Sequence, residues 1–338
     1  MSVSTPPKVS VCIPVYNGSA YIAESINSVL DQTYKEFHLI VCDNCSTDNT
    51  EEIVRSFNDP RLAYVRNAQN LGSVGNANRC LELSKGEYIC IWHHDDVMLP
   101  DNLQRKVQLL DEHPEVGIVH SNLILIDDTG KTIAPEIWGE SSRHDYIENG
   151  LTVLKKYLSK LPLGARFFIG AVLARRKCYE KVGGFNPKFS HCNDSEMWIR
   201  IMLFYNVACI GAPLVKYRIH PISASSYWGN HSSLPYLREH YQVARHIFKQ
   251  YENEIPHADI LKNDTFLSFG RRALQLANVA ITEGDFFTAR IFFKEALKFS
   301  PNIVKKASFW KTALKITAGY KGARLSQKFK KYIRSNAH

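Results

Sequence analysis

Glu87 to Pro100 reads EYICIWHHDDVMLP, and this stretch decides the fold. Tyr88, Ile89, Cys90, Ile91 and Trp92 form an apolar run of strand-forming residues that stops at two adjacent carboxylates, Asp95 and Asp96. A buried strand cannot continue through two charges, so the pair belongs at its carboxyl end, at the mouth of a sheet. Open α/β sheets bind ligands there. Neighbouring carboxylates repel unless something positive, commonly a hard divalent cation, lies between or beyond them. Taken alone, the pair reads more simply as a solvated turn capping a helix that starts near Pro100. The rest of the chain reverses that preference.

Working outward, the first 130 residues alternate strand and helix signals. VSVCIPV (9–15), FHLIVCD (37–43) and LAYVR (62–66) read as strands. The segments 19–31, 48–57, 73–84 and 102–112 carry helical patterns, and Ser46 and Thr47 are available as caps for the second. VGIVHSNLILID (116–127) is a further extended run. This alternation predicts an α/β fold with a mostly parallel sheet covered by helices on both faces. Residues 131–165 are less regular. FFIGAVLARR (167–176) and LVKYRIH (214–220) read as strands, and 194–205 as a helix. From about residue 232 long helical patterns take over, so we expect domains at 1–230 and 231–338. Ala273, Leu276, Ala280, Gly284, Ala289, Phe293, Ala296 and Pro301 are spaced as in one tetratricopeptide-like unit. A single unit cannot form a solenoid, and a helical hairpin is expected instead.

A chain of 338 residues with 45% hydrophobic and 22% charged residues is of the soluble globular type. No apolar run approaches the roughly 20 residues of a membrane-spanning helix. The N-terminal MSVSTPPKVSVCIPVYN lacks the pattern of a secretory signal. Eight scattered cysteines, several within strand-like runs, read as reduced core thiols of a cytoplasmic protein. Cys42 and Cys45 have CxxC spacing, but no second pair completes a zinc site. The net charge of +9 is uneven: residues 286–338 hold 13 Lys and Arg against Glu295 alone, a net +12, leaving −3 for residues 1–285. Such a tail suits an anionic surface, or is simply a solvated helix face. Its Phe292, Phe293, Phe299, Trp310 and Tyr320 fall at helical spacing, which favours core or interfacial anchoring over nucleic acid.

Polar groups gather at the ends of the expected strands: Pro14, Tyr16 and Asn17 after the first, Asp43, Asn44 and Asp48 after the second, and Asp95 and Asp96 after the fourth. Arg218 and His220 end the strand near 220. In a doubly wound sheet these ends ring one cleft. Neither GxGxxG nor GxxxxGK[ST] is present, which counts against a dinucleotide dehydrogenase and a P-loop. A nucleotide bound here would need a metal for its phosphates.

VSVCIPVYNGSAYIAESINSVLDQTYKEFHLIVCDNCSTDNT, NLGSVGNANRCLELSKGEYICIWHHDD and NDSEMWIR together resemble family 2 glycosyltransferases of the Rossmann-like GT-A fold. The match covers roughly residues 8–222, in several independent motifs in the right order. The resemblance implies an inverting enzyme using a nucleotide-diphosphate sugar, with Mg²⁺ or Mn²⁺ as cofactor. By similarity Pro14, Tyr16, Asn17 and Asp43 line the nucleobase pocket, and Asn76, Asn78, Arg79 and Arg218 contact the donor. Asp95 faces the ribose, Asp96 is the metal ligand with His220 as a second candidate, Asp194 is the catalytic base, and Glu196 and Trp198 shape the acceptor site. The family often carries Arg where Ala77 stands and Glu where Asn193 stands, so one donor contact and one neighbouring acid are missing.

A sugar hydroxyl is a poor nucleophile and needs a carboxylate to take its proton, while the departing diphosphate needs cationic compensation. The expected partners are a nucleotide sugar, a glycan or lipid-linked acceptor of cell-surface polysaccharide synthesis, and an anionic membrane surface met at the inner face through the basic tail. The competing reading is a catalytically silent nucleotide-sugar-binding scaffold, against which the intact Asp96 and Asp194 argue.

Overall fold

The computed structural model describes residues 7–134, 144–163, 172–221 and 233–319. These divide into two compact units, one within 1–157 and 165–228, the other formed by 158–164 and 229–338. A single cut after residue 230 therefore misses the short segment 158–164.

The first unit is built on a mixed sheet. Its strands are β1 (Val9–Val15), β2 (Phe37–Asp43), β3 (Leu62–Arg66), β4 (Tyr88–Ile91), β5 (Val97–Met98), β6 (Val116–Ile126), β7 (Thr132–Ala134), β8 (Tyr146–Glu148), β9 (Leu173–Arg175) and β10 (Asn206–Arg218). The main order is β3-β2-β1-β4-β9-β6-β10-β5, with β7 on β6 and β8 on β10. β1 runs parallel to β2 and β4, β2 to β3, and β6 to β10. β9 lies antiparallel to both β4 and β6, and β5, β7 and β8 also pair antiparallel. The sheet is thus less parallel than the βα alternation suggested. Its centre is closed by three residues returning from a distant part of the chain.

Helices α1 (Ile22–Leu30), α2 (Thr50–Arg55), α3 (Gly72–Leu83), α4 (Asn102–Glu112), α5 (Gly150–Lys160, up to Tyr157), α6 (Arg176–Val182) and α7 (Asn193–Met202) complete the unit. α1 buries Ile22, Ile26 and Val29, and α4 buries Leu103, Val107 and Leu110, each set at helical spacing. Those side chains join Val9, Val11, Ile13 and Val15, alternate residues on one face of β1, in one core, while Ser10 and Cys12 are fully buried on the other face, as a strand covered on both sides requires. α5 was not anticipated, although Val153, Leu154, Tyr157 and Leu158 lie buried at helical spacing. The run at 167–176 yields only the short β9 among described residues, and α6 starts at its last residue. β10 is longer than expected because irregular register near Ile210 and Pro213 bridges what reads as a break.

β1 has β2 on one side and β4 on the other, so the strand order is laid down in opposite directions from β1, and a crevice is expected beyond the carboxyl ends at such a switch point. Gly18 stands at this point. A Cβ there would lie 2.5 Å from Val15 Cγ2 and 2.6 Å from His94 Cδ2, so only glycine lets the turn after β4 approach the end of β1.

The second unit is helical: α8 (Leu234–Gln250), α9 (Ala258–Thr282), α10 (Phe286–Phe299) and a last helix, α11, at 307–319. Gly284, with φ +80°, turns the chain between α9 and α10, and Asp285 caps α10 by accepting the Thr288 N–H at 2.9 Å. Ala273, Ala277 and Ala280 on α9 and Ala289 and Ala296 on α10 are buried, the small residues that close helix packing needs. No helix among the described residues is long and apolar enough to cross a membrane.

Candidate active site

The segment after β4 is held by its main chain before any of its side chains is aimed. The Trp92 N–H donates to Cys12 O at 2.7 Å, extending the β4 pairing, and its indole N–H donates to Ser25 Oγ at 2.9 Å. That hydroxyl donates in turn to His93 O, and Ser28 Oγ accepts the Met98 N–H. The four residues His93, His94, Asp95 and Asp96 are thereby pinned from both ends against α1.

Within this turn one ligand atom each from His93, Asp95 and Asp96 lies within 4.8 Å of the others. Asp96 is 1% exposed, accepts the Arg218 N–H at 2.9 Å through Oδ1, and has His93 Nδ1 at 3.4 Å from Oδ2. Asp95 Oδ2 accepts from His220 Nε2 at 3.0 Å. Burial pushes the Asp96 carboxyl above its ordinary range. Burial also acts upward on Asp95, but the imidazoles of His94, His93 and His220 outweigh it and hold that carboxyl low. Burial acts downward on His93, yet the charges of Asp96, Asp95 and Asp194 leave it raised. Two hard carboxylates and one imidazole converging at this separation fit Mg²⁺ or Mn²⁺.

Asp194 is the second residue of α7, and its Oδ1 accepts the Ser195 N–H at 2.6 Å. Desolvation is the largest influence on its carboxyl, which is pushed up to about 6 against the opposing pull of Ser195 and His93. His93 thus feels the charges of both the Asp95–Asp96 corner and Asp194, which puts the three acids in one electrostatic field.

At the end of β2, Asp43 is fully buried and its oxygens are taken. Tyr64 OH donates at 2.5 Å, Arg66 at 3.0 Å and the Ser46 N–H at 2.8 Å. Tyr16, 47% exposed, directly follows β1, which contains Pro14 and whose last residue, Val15, is the register partner of Asp43. Asn17, with φ 52°, accepts the Thr47 N–H at 2.8 Å and so ties the β1 and β2 loops together.

Several residues expected at the ligand are engaged by other groups of the protein. Asn76 is buried, donating to Cys42 O and accepting from Asn67. Asn78 accepts the Phe185 N–H and donates to Phe185 O, clamping that loop. Arg79 pairs with Glu82 one turn on. Glu196, expected at the acceptor, is fully buried against Arg200 at 2.8 Å, and Trp198 is buried on the same helix. Arg218, expected on the diphosphate, is 2% exposed with its guanidinium turned into the protein. His220, expected at the metal, has Nε2 occupied by Asp95 and lies outside the tight cluster. In its place stands His93, which the sequence reading passed over although HHDD sets it directly before the aspartates. Tyr64 and Arg66, the partners of Asp43, were also missed. All eight cysteines are free thiols.

An α/β sheet with this switch point and carboxylates at the ends of β2 and β4 has the architecture of a GT-A protein. TarS residues 1–349 from S. aureus, in a structure with UDP-GlcNAc, aligns with TM-score 0.61 and 17% identity over 95% of this chain and 91% of that one. The mannosyltransferase PcManGT from Pyrobaculum calidifontis, in complex with GDP-Man and Mn²⁺, aligns with TM-score 0.56 and 21% identity over 93% and 88%. At these identities the likeness establishes the fold alone.

The sequence signature described as Glycosyl transferase family 2 matches residues 10–182, and the chain belongs to that family. The Rickettsia conorii glycosyltransferase RC0461 is 31% identical over 230 residues, 66% of this chain but only 36% of the length of that relative. The Escherichia coli UDP-Glc:alpha-D-GlcNAc-diphosphoundecaprenol beta-1,3-glucosyltransferase WfgD is 28% identical over 223 residues, 64% of this chain and 79% of WfgD.

Proposed function

We propose that the protein is an inverting, metal-dependent glycosyltransferase that moves a sugar from a UDP-linked donor to a lipid-linked or glycan acceptor in cell-surface polysaccharide synthesis. The observation that carries this reading is the cluster of His93, Asp95 and Asp96, with ligand atoms within 4.8 Å of one another at the end of β4, beside which the Asp194 carboxyl, pushed up to about 6 by burial, acts on His93. A base of that strength is largely ionised near neutral pH yet still takes a proton readily from a sugar hydroxyl as the new bond forms. Asp194 therefore serves as the base, and the acceptor oxygen attacks the anomeric carbon opposite the departing diphosphate. His93, Asp95 and Asp96 would hold Mg²⁺ or Mn²⁺, which supplies charge compensation for that diphosphate. Asp43, kept in place by Tyr64, Arg66 and Ser46, shapes the floor of the nucleobase pocket below the exposed Tyr16.

The UDP donor and lipid-linked acceptor are supported by the names of WfgD and of the TarS complex. The membrane contact is supported by α11 and the turn before it. Trp310 (59% exposed) and Leu314 (70% exposed) stand one turn apart with Lys305, Lys306, Lys311 and Lys315 exposed around them. That combination suits the headgroup region of an anionic bilayer. Residues 320–338, the remainder of the basic tail, lie outside the described residues.

Incubation with a panel of nucleotide sugars, with and without Mn²⁺, tests the reading. Donor turnover that requires the ion and disappears in Asp194→Asn is expected. Tight donor binding without any turnover, unchanged in Asp194→Asn, would establish the silent scaffold instead.

A further inference from the structure

Arg218 presents a buried charge that a donor contact does not explain. It closes β10, yet four of its five side-chain N–H groups are spent within the protein. Nε donates to Asp95 O at 2.8 Å, Nη1 to Asp127 O at 3.2 Å and Asp128 O at 3.1 Å, and Nη2 to Glu24 Oε2 at 2.5 Å. Its Cζ lies 4.7 Å from the Tyr21 ring centroid. Its main-chain N–H meets Asp96 Oδ1 at 2.9 Å. One residue therefore grips the acidic turn twice, at the carbonyl of Asp95 and the carboxylate of Asp96. The same guanidinium is braced on α1 and on the β6–β7 turn.

We propose that Arg218 is a positioning residue for the Asp95–Asp96 turn, which it presets for a divalent cation without touching the donor. This inference rests on the metal-dependent reading above. The physical argument has two parts. Two adjacent carboxylates, one of them buried, repel, and bonds from behind to the Asp95 carbonyl and the Asp96 carboxylate hold the turn in place against that repulsion while Asp96 Oδ2 still faces the cluster. A planar fork with five directed donors also fixes orientation as well as charge, which an ammonium cannot do. The turn then meets the ion already formed, and little ordering remains to oppose binding. His220 completes the brace from the same strand end, with Nε2 on Asp95 and its ring 4.9 Å from Tyr21.

The test is Mn²⁺ binding to the full chain without nucleotide, read by electron paramagnetic resonance, for wild type, Arg218→Lys and Glu24→Ala. UDP binding without metal is measured in parallel. Arg218→Lys should lose about tenfold or more in Mn²⁺ affinity, the scale on which residues behind metal ligands act, with metal-free UDP binding unchanged. Glu24 is half exposed, so its removal spares the fold and loosens only the outer brace. A severalfold loss is expected there, and this variant decides the matter if Arg218→Lys does not fold. Equal Mn²⁺ affinity in wild type and in the folded variants overturns the inference alone. Reduced metal-free UDP affinity in Arg218→Lys, with Mn²⁺ binding intact, restores Arg218 to the donor site. If the wild type binds no Mn²⁺, the metal-dependent reading falls and the inference with it.

Discussion

His220 Nε2 and Asp95 Oδ2 lie 3.0 Å apart, and this contact joins the end of β10 to the turn after β4. The Nε2 of His220 is thereby occupied and the residue stands outside the cluster, whereas His93 Nδ1 faces Asp96 from within it. The two histidines should respond differently to removal. His93→Ala should raise the Mn²⁺ concentration needed for half-maximal turnover by about tenfold or more, which is ~1.4 kcal/mol. His220→Ala should act on it less. A titration of activity against Mn²⁺ in both variants checks this ranking.

Asp194 sets a pH limb. With its carboxyl raised to about 6, kcat/KM should climb with pH through that value and level off above it. Asp194→Asn should lower kcat by roughly 10²- to 10⁴-fold and abolish the limb. The stability effect has the opposite sense. A carboxyl whose folded value lies above its unfolded value of 3.8 contributes stability that is fully present below 3.8 and lost as pH rises through about 6. Asp194→Asn should therefore melt higher than wild type at pH 8, and the gap should close at low pH. Thermal unfolding across that range measures it.

Tyr64→Phe removes a hydroxyl held 2.5 Å from a fully buried carboxylate. The loss should destabilise the protein by about 1–3 kcal/mol. Freed from one of its three donors, Asp43 should also hold the base less well, and a several-fold weaker UDP affinity by calorimetry is expected.

Glu196→Gln separates a packing role from an acceptor role. The carboxylate is buried against the Arg200 guanidinium, and breaking such a pair by removing one charge costs about 3–5 kcal/mol. Reduced melting temperature and yield are expected. A stable variant with only a raised acceptor KM would return Glu196 to the acceptor site.

Trp310→Asp with Leu314→Asp should abolish cosedimentation with phosphatidylglycerol vesicles and leave donor hydrolysis in solution unchanged. Each apolar side chain withdrawn from the bilayer forfeits roughly 1.5–3 kcal/mol, so the pair should suffice. Cosedimentation that persists in the double variant would remove α11 from the membrane contact.

The fold was legible where one physical signal dominates. β1 to β3 and α4 coincide with their apolar runs, and α3 is displaced by one residue, because buried strands and one-sided helices impose their own periodicity. Strand direction leaves no mark on a three-residue strand, so nothing in Leu173–Arg175 announces an antiparallel insertion. Gly211 and Pro213 hid the continuity of β10. In the site, carboxylates at strand ends were legible because charge interrupts an apolar run. Whether a polar side chain faces the crevice or the interior was not. Asn76, Asn78, Glu196 and Arg218 look alike on paper to residues that meet a ligand, yet Asn76, Asn78 and Arg218 bond to groups remote in sequence and Glu196 to Arg200 one turn along its own helix. His93 was overlooked because one imidazole in a polar turn carries no periodic signature.

The antiparallel β9 also bears on how the chain comes together during synthesis. Ala174 pairs with Ile89 on one side and Ile118 on the other, so the sheet's two halves cannot be joined until the ribosome has passed residue 175. β1 to β4 lie within the first 91 residues and can assemble as a partial sheet, with the exposed flank of β4 waiting for its neighbour. Such non-local closure is slow, and an unpaired apolar edge invites association with other chains. The three residues that complete the centre of the sheet are thus where slow translation or a weakened β9 should send this protein toward aggregation rather than toward the native state.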